Sequence, residues 1–106
     1  VLTRKGGGTV ILSATGPPLG VEQDVEWEQV ASETTQGDRL VMVTDGLPEL
    51  SSPTGEMFGR RRLQSLLEQN RDQPLHILRG RILETLAAHG GGSRPADDVT
   101  VLAVDL

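Results

Sequence analysis

Two short acidic segments carry the residues best suited to chemistry. Thr44-Asp45-Gly46 closes an apolar run, and Asp97-Asp98-Val99-Thr100 opens another near the end of the sequence. A carboxylate at the end of a buried strand is held rigidly. A glycine beside it lets the backbone turn away and leaves room for an ion and its waters. Oxygen donors of this kind select hard cations such as Mg²⁺, Mn²⁺ or Ca²⁺ over zinc or copper. Were the two strands neighbours in one sheet, Asp45, Asp97 and Asp98 would share a cleft. The structural alternative is equally concrete. Asp-Gly is a common turn, and an Asp ahead of a β-branched run often closes an Asx turn. Spacing alone leaves both open.

Other polar residues give weaker signals. His76 lies beside the apolar stripe of a predicted helix, and His89 precedes a glycine stop, where a helix dipole favours it. Neither has a partner that would form a nucleophile–base pair. Arg60-Arg61-Arg62 would attract a phosphoprotein, but such a run more often forms a solvated face. Lys5 is the only lysine. Receiver domains need an early acidic pair, a central Asp and a late Lys, and the order here is different. No Gly-Lys-Ser/Thr follows the glycine triplets, so there is no P-loop.

The elements that must position the acidic segments follow from periodicity and punctuation. Thr9-Val10-Ile11-Leu12 reads as a strand between Gly6-Gly7-Gly8 and Gly16-Pro17-Pro18. Val25 to Val30 alternates and predicts a half-exposed strand. The Gly37-Asp38 turn leads into Arg39-Leu40-Val41-Met42-Val43-Thr44, expected to be a strand buried on both faces. Residues 47–57 form a loop. A helix begins near Gly59, carries Leu63, Leu66 and Leu67 inward, and ends by Asn70 and Asp72. Pro74 opens a second helix with an apolar stripe of Leu75, Leu78, Ile82 and Leu86, stopped at Gly90-Gly91-Gly92. Val99 to Leu106 is a closing strand. Strands first and helices afterwards predict an α+β fold, with Leu63, Leu66, Leu67, Leu78, Ile82 and Leu86 covering one face of the sheet formed by residues 40–43 and 99–104.

Composition narrows the partners. The 106 residues suffice for one small domain. Val1 in place of an initiator Met suggests a piece of a longer protein. The formal charge of −5 argues against nucleic acid. Cysteine is absent, which rules out disulfides and thiolate metal sites and suits a cytoplasmic setting. No apolar run is long enough to span a bilayer. Trp27 and Phe58 are the only aromatic residues, so the core must be aliphatic.

Four motifs together resemble one family. The stretch from Gly37-Asp38 through Thr44-Asp45-Gly46-Leu47-Pro48-Glu49 resembles the central signature of SpoIIE/RsbU-type phosphatases. Gly16-Pro17-Pro18-Leu19-Gly20 resembles the Gly-x-Pro-Leu-Gly element, Gly55-Glu56-Met57-Phe58-Gly59 the Gly-Glu-x-Phe-Gly loop, and Asp97-Asp98-Val99-Thr100 the terminal Asp-Asp-x-Thr. They fall in the family's order across nearly the whole chain. The resemblance implies a PPM-type (PP2C-like) protein serine/threonine phosphatase, with residues 1–106 as the C-terminal half of its β-sandwich with flanking helices. It also implies a pair of Mn²⁺ or Mg²⁺ ions that activate water for in-line attack on phosphoserine or phosphothreonine. Asp45 matches the central metal-binding Asp, Asp97 the terminal one, and Asp98 its less constant neighbour; no other residue matches a catalytic or cofactor-binding position.

Two departures qualify the match. The family's early Asp-Gly, which bridges both ions, has no counterpart here, and Pro48 stands where Thr is frequent. The chain by itself is therefore expected to be inactive. Its expected partners are a phosphorylated regulatory protein and the upstream half of the domain or attached sensory domains. The rival expectations are a non-catalytic phosphatase-like interaction module and a plain α+β domain with structural acidic turns.

Overall fold

The computed structural model describes residues 1–13, 15–92, 95 and 97–106. Its elements run β1 (Leu2–Thr3), β2 (Thr9–Val10), β3 (Arg39–Val43), α1 (Gly59–Gln69), α2 (Leu75–Gly90) and β4 (Val101–Asp105). The strands form one sheet in the order β2-β1-β3-β4, every neighbouring pair antiparallel. The α+β class is as expected. Two strand assignments differ. β1 lies outside any predicted strand, and the Gly6–Gly8 triplet is the turn joining it to β2, with Gly7 and Gly8 at positive φ where a side chain would be strained. Residues 25–30 form no strand. Trp27 instead packs on Gly16 and donates from Nε1 to the Pro17 carbonyl at 3.0 Å, which removes it from any sheet.

Register sorts the sheet into two faces. Val41 and Val43 of β3 stand opposite Ala103 and Val101 of β4 and face the helices. There they join Leu63 and Leu67 of α1 and Leu78, Ile82 and Leu86 of α2 in one core, with Leu66 half-buried at its edge. The helix registers are thus as expected. The loop after β3 adds three core side chains of its own, Leu47, Leu50 and Phe58. The opposite face carries Leu40, Met42, Leu102 and Val104. Met42 is 48 % exposed and Leu102 53 %, so β3 is buried on one face rather than both. That end of the sheet is open to solvent at Met42 and Leu102.

The helix boundaries follow local chemistry. Pro74 is the N-cap of α2, its carbonyl accepting from the Ile77 and Leu78 amides, and Gly91 closes the helix in the left-handed conformation. Arg62 of α1 donates to the Met57 and Phe58 carbonyls and pairs with Glu56, tying the 56–58 loop to the helix it precedes. No helix among the described residues is long and apolar enough to cross a membrane.

Candidate metal centre

β3 and β4 are adjacent and antiparallel, so the exit of one meets the entrance of the other. Their ladder ends at Val43↔Val101. One step further, the Thr44 amide donates to the Thr100 carbonyl at 3.1 Å. The Thr44 hydroxyl donates to the Asp98 carbonyl at 3.1 Å and accepts from the Thr100 amide at 2.9 Å. The two acidic segments singled out by sequence are therefore stitched together by the backbone and hydroxyl of Thr44.

Gly46 explains how closely. It is buried against the Asp97-Asp98 backbone, and a Cβ there would collide with the Asp98 carbonyl oxygen while standing 3.3 Å from that of Asp97. Any side chain at this position would push the segments apart. Its role is close approach rather than an unusual φ.

Asp45 sits in a tight turn. The Thr44 and Asp45 carbonyls accept from the Leu47 and Glu49 amides at 3.1 and 3.0 Å, and the fully buried Leu47 side chain anchors the turn from below. Asp45 remains exposed and lines a cleft of about 680 Å³ together with Val43, Pro48, Arg60 and Gln64. Asp97 and Asp98 are also exposed. Asp97 Oδ1 accepts from the Asp98 amide at 2.7 Å, which fixes one carboxylate oxygen and leaves the other open. Asp97 and Asp98 do not line the cleft over Asp45. What the fold joins is the chain that carries the three carboxylates. Among the described residues, no three His, Asp or Glu side chains converge as a ready-made cage.

The donors are all oxygen, and a buried glycine keeps their segments in contact. That chemistry fits a hard cation. Three carboxylates that do not converge supply too little charge to hold two divalent ions by themselves.

The histidines divide. His76 is exposed. His89 does more than sit at a helix end: its Nε2 lies 2.8 Å from the Glu56 carbonyl, and its ring meets Phe58 edge-on at 5.3 Å between centroids. Thr44 and Gly46 went unrecognised in the sequence as links between the segments, although a threonine directly before a strand-ending Asp-Gly was a visible signal.

A profile of the SpoIIE family (stage II sporulation protein E) matches residues 1–106. The chain belongs to the SpoIIE family. Protein IcfG of Synechocystis is 36 % identical over 93 residues, 88 % of this chain and 14 % of that protein. Phosphoserine phosphatase RsbP of Bacillus subtilis is 30 % identical over 96 residues, 91 % of this chain and 22 % of RsbP. The SiaA-PP2C domain of Pseudomonas aeruginosa superposes with a TM-score of 0.72 at 26 % identity, over 78 % of this chain and 34 % of the SiaA chain. This SpoIIE-family chain thus has the architecture of part of a PP2C-like phosphatase domain, and spans a minor fraction of each of these relatives.

Proposed function

We propose that the chain is the C-terminal part of a metal-dependent phosphoprotein phosphatase domain, with Asp45, Asp97 and Asp98 as metal ligands. The observation that carries this reading is the contact of the Thr44-Asp45-Gly46 turn with the Asp97-Asp98 backbone. It sets acidic residues from segments far apart in sequence at one strand junction, in a family with phosphatase members. Mn²⁺ or Mg²⁺ bound there would supply a water of lowered pKa and neutralise phosphoryl charge. The protein's part is to hold the ligands on a rigid strand end and to leave them open to solvent. RsbP, by its name, acts on phosphoserine, and a phosphoserine-bearing regulatory protein is the substrate class this reading adopts.

The remaining ligands would come from the upstream half of the domain. That half would also cover Met42, Leu102 and Val104, the sheet face left bare here. The bare face equally suits the second reading, a phosphatase-like module that binds a partner without catalysis. Activity separates the two. A version extended upstream should hydrolyse a phosphoserine peptide only with Mn²⁺ or Mg²⁺, and the 106-residue chain should not. Absent turnover in the extended version favours the interaction module, and metal-independent turnover overturns the metal-ligand reading.

A further inference from the structure

We infer that Thr44 is the positioning residue of the acidic site, its hydroxyl standing in for a backbone carbonyl so that the chain can turn at Asp45 without releasing β4. The inference rests on the metal-ligand reading of Asp45, Asp97 and Asp98.

The argument comes from the ladder. Val43↔Val101 is its last regular pair, so Thr44 and Thr100 face one another next. Directly opposed residues of a hydrogen-bonded antiparallel pair exchange two bonds, each amide donating to the other's carbonyl. Here one is present: the Thr44 amide donates to the Thr100 carbonyl at 3.1 Å. The return bond is absent: the Thr44 carbonyl is engaged by the Leu47 amide at 3.1 Å, in the turn that presents Asp45, and not by the Thr100 amide. The Thr100 amide finds the Thr44 hydroxyl instead, at 2.9 Å, and the same hydroxyl donates its proton to the Asp98 carbonyl at 3.1 Å. One side chain thereby extends strand pairing past the point where the backbone has left it, and pins the residue that follows Asp97.

A β-hydroxyl is what this task needs. Valine has the shape and neither bond. Serine has both bonds but a looser χ1. Thr44 is exposed, so its loss removes little buried surface, and its effect should fall on the geometry of the carboxylates. Gly46 completes the arrangement by allowing the contact that Thr44 holds.

The test compares Thr44→Val, Thr44→Ser and Asp45→Asn in the whole protein that carries this chain. Mn²⁺ affinity is measured by titration with the metal alone, and amide exchange is followed over residues 97–101. Thr44→Val should weaken Mn²⁺ binding by about ten- to a hundredfold, the range seen when a residue orienting metal ligands is lost, and should speed exchange of the Thr100 amide. Thr44→Ser should restore most of both. Wild-type Mn²⁺ affinity in Thr44→Val, alongside weakened binding in Asp45→Asn, would overturn the inference whatever the exchange shows. If Asp45→Asn leaves Mn²⁺ binding untouched, the metal-ligand reading fails instead. The clamp is then decided by exchange alone: faster exchange in Thr44→Val with rescue by serine supports it, and unchanged protection overturns it.

Discussion

The two ends of β3 carry the same residue type in opposite circumstances. At the entrance, Asp38 is 1 % exposed and fully engaged. Its Oδ1 accepts from the Lys5 amide at 3.0 Å and the Thr35 hydroxyl at 3.2 Å, and its Oδ2 from Arg4 at 2.8 Å and the Thr35 amide at 3.1 Å. At the exit, Asp45 is exposed, and no side chain among the described residues pairs with its carboxylate. Asp38 gathers the β1–β2 turn and the 33–35 segment onto the strand; Asp45 is held by its backbone and leaves its oxygens free. The strand between them is five residues long. The motif that contains both therefore mixes two jobs, and saturation of hydrogen bonds tells them apart. A satisfied buried carboxylate stabilises the fold, and an unsatisfied exposed one on a rigid turn is available to a ligand.

Substitution at the exit should give the largest functional effect. In a version extended through the upstream half, Asp45→Asn should lower Mn²⁺-dependent turnover of a phosphoserine peptide by roughly a hundredfold or more, as expected when a metal ligand for phosphoryl transfer is lost. Its melting temperature should stay within a degree or two of wild type, because an exposed side chain supports little of the fold. A large stability loss with modest kinetic change would erase the distinction between the two aspartates.

At the entrance the expected effect is on stability and pH. The Lys5 amide, then Arg4 and the Thr35 amide, hold the Asp38 carboxyl well below the usual carboxylate range. Because the folded pKa is depressed, the ionised group stabilises the fold above the unfolded carboxylate pKa of about 4, and that stabilisation is lost as pH falls below it. Asp38→Asn should melt lower than wild type at neutral pH, and its melting temperature should fall less steeply on acidification. Parallel melting curves for the two proteins from neutral to acidic pH would show that the pairing contributes nothing.

Between the ends, the core face of β3 sets the scale. Leu67 is buried against it from α1, and Leu67→Ala should cost about 2–5 kcal/mol in a denaturant titration. Met42→Ala, on the bare face, should cost less than 1.5 kcal/mol, roughly the effect of a half-exposed side chain. Equal costs would mean that both faces are covered in solution.

How much of this could be read from sequence depends on whether an element signals its own structure. α1 and α2 did so, because their leucines recur at helical spacing and Pro74 and Gly91 mark the boundaries of α2. β3 and β4 did as well, although β3 is buried on one face only, and that the two are neighbours comes from the fold. β1 did not. Two residues show no period, and Leu2–Thr3 is a strand only because β3 offers it an edge. The alternation at residues 25–30 misled for the converse reason: the pattern was there but no partner strand was, and Trp27 found the Gly16-Pro17 backbone instead. At the site, the carboxylates were legible as residue types. The Thr44 clamp was not, since it depends on where the Thr44 carbonyl points.

The arginine run offers the smallest effect and the finest division. Sequence treats Arg60, Arg61 and Arg62 as one patch, but the fold separates them. Arg62 is committed to Glu56 and the loop carbonyls. Arg61 is exposed. Arg60 stands in the cleft wall with Asp45, and no carboxylate among the described residues pairs with it. A phosphoryl group approaching Asp45 would pass this guanidinium, which can offer two parallel donors to its oxygens. Because Arg60 is open to solvent, its contribution should be that of a surface ion pair, at most about 1 kcal/mol or fivefold in binding. Arg60→Ala should therefore raise KM for a phosphoserine peptide by up to about that factor, leave kcat unchanged, and lose its effect as salt screens the pair. Arg61→Ala is the control on the same helix turn with the same charge change. Identical KM values for the two variants would show that only net charge matters, and that the cleft beside Asp45 does not receive the phosphate.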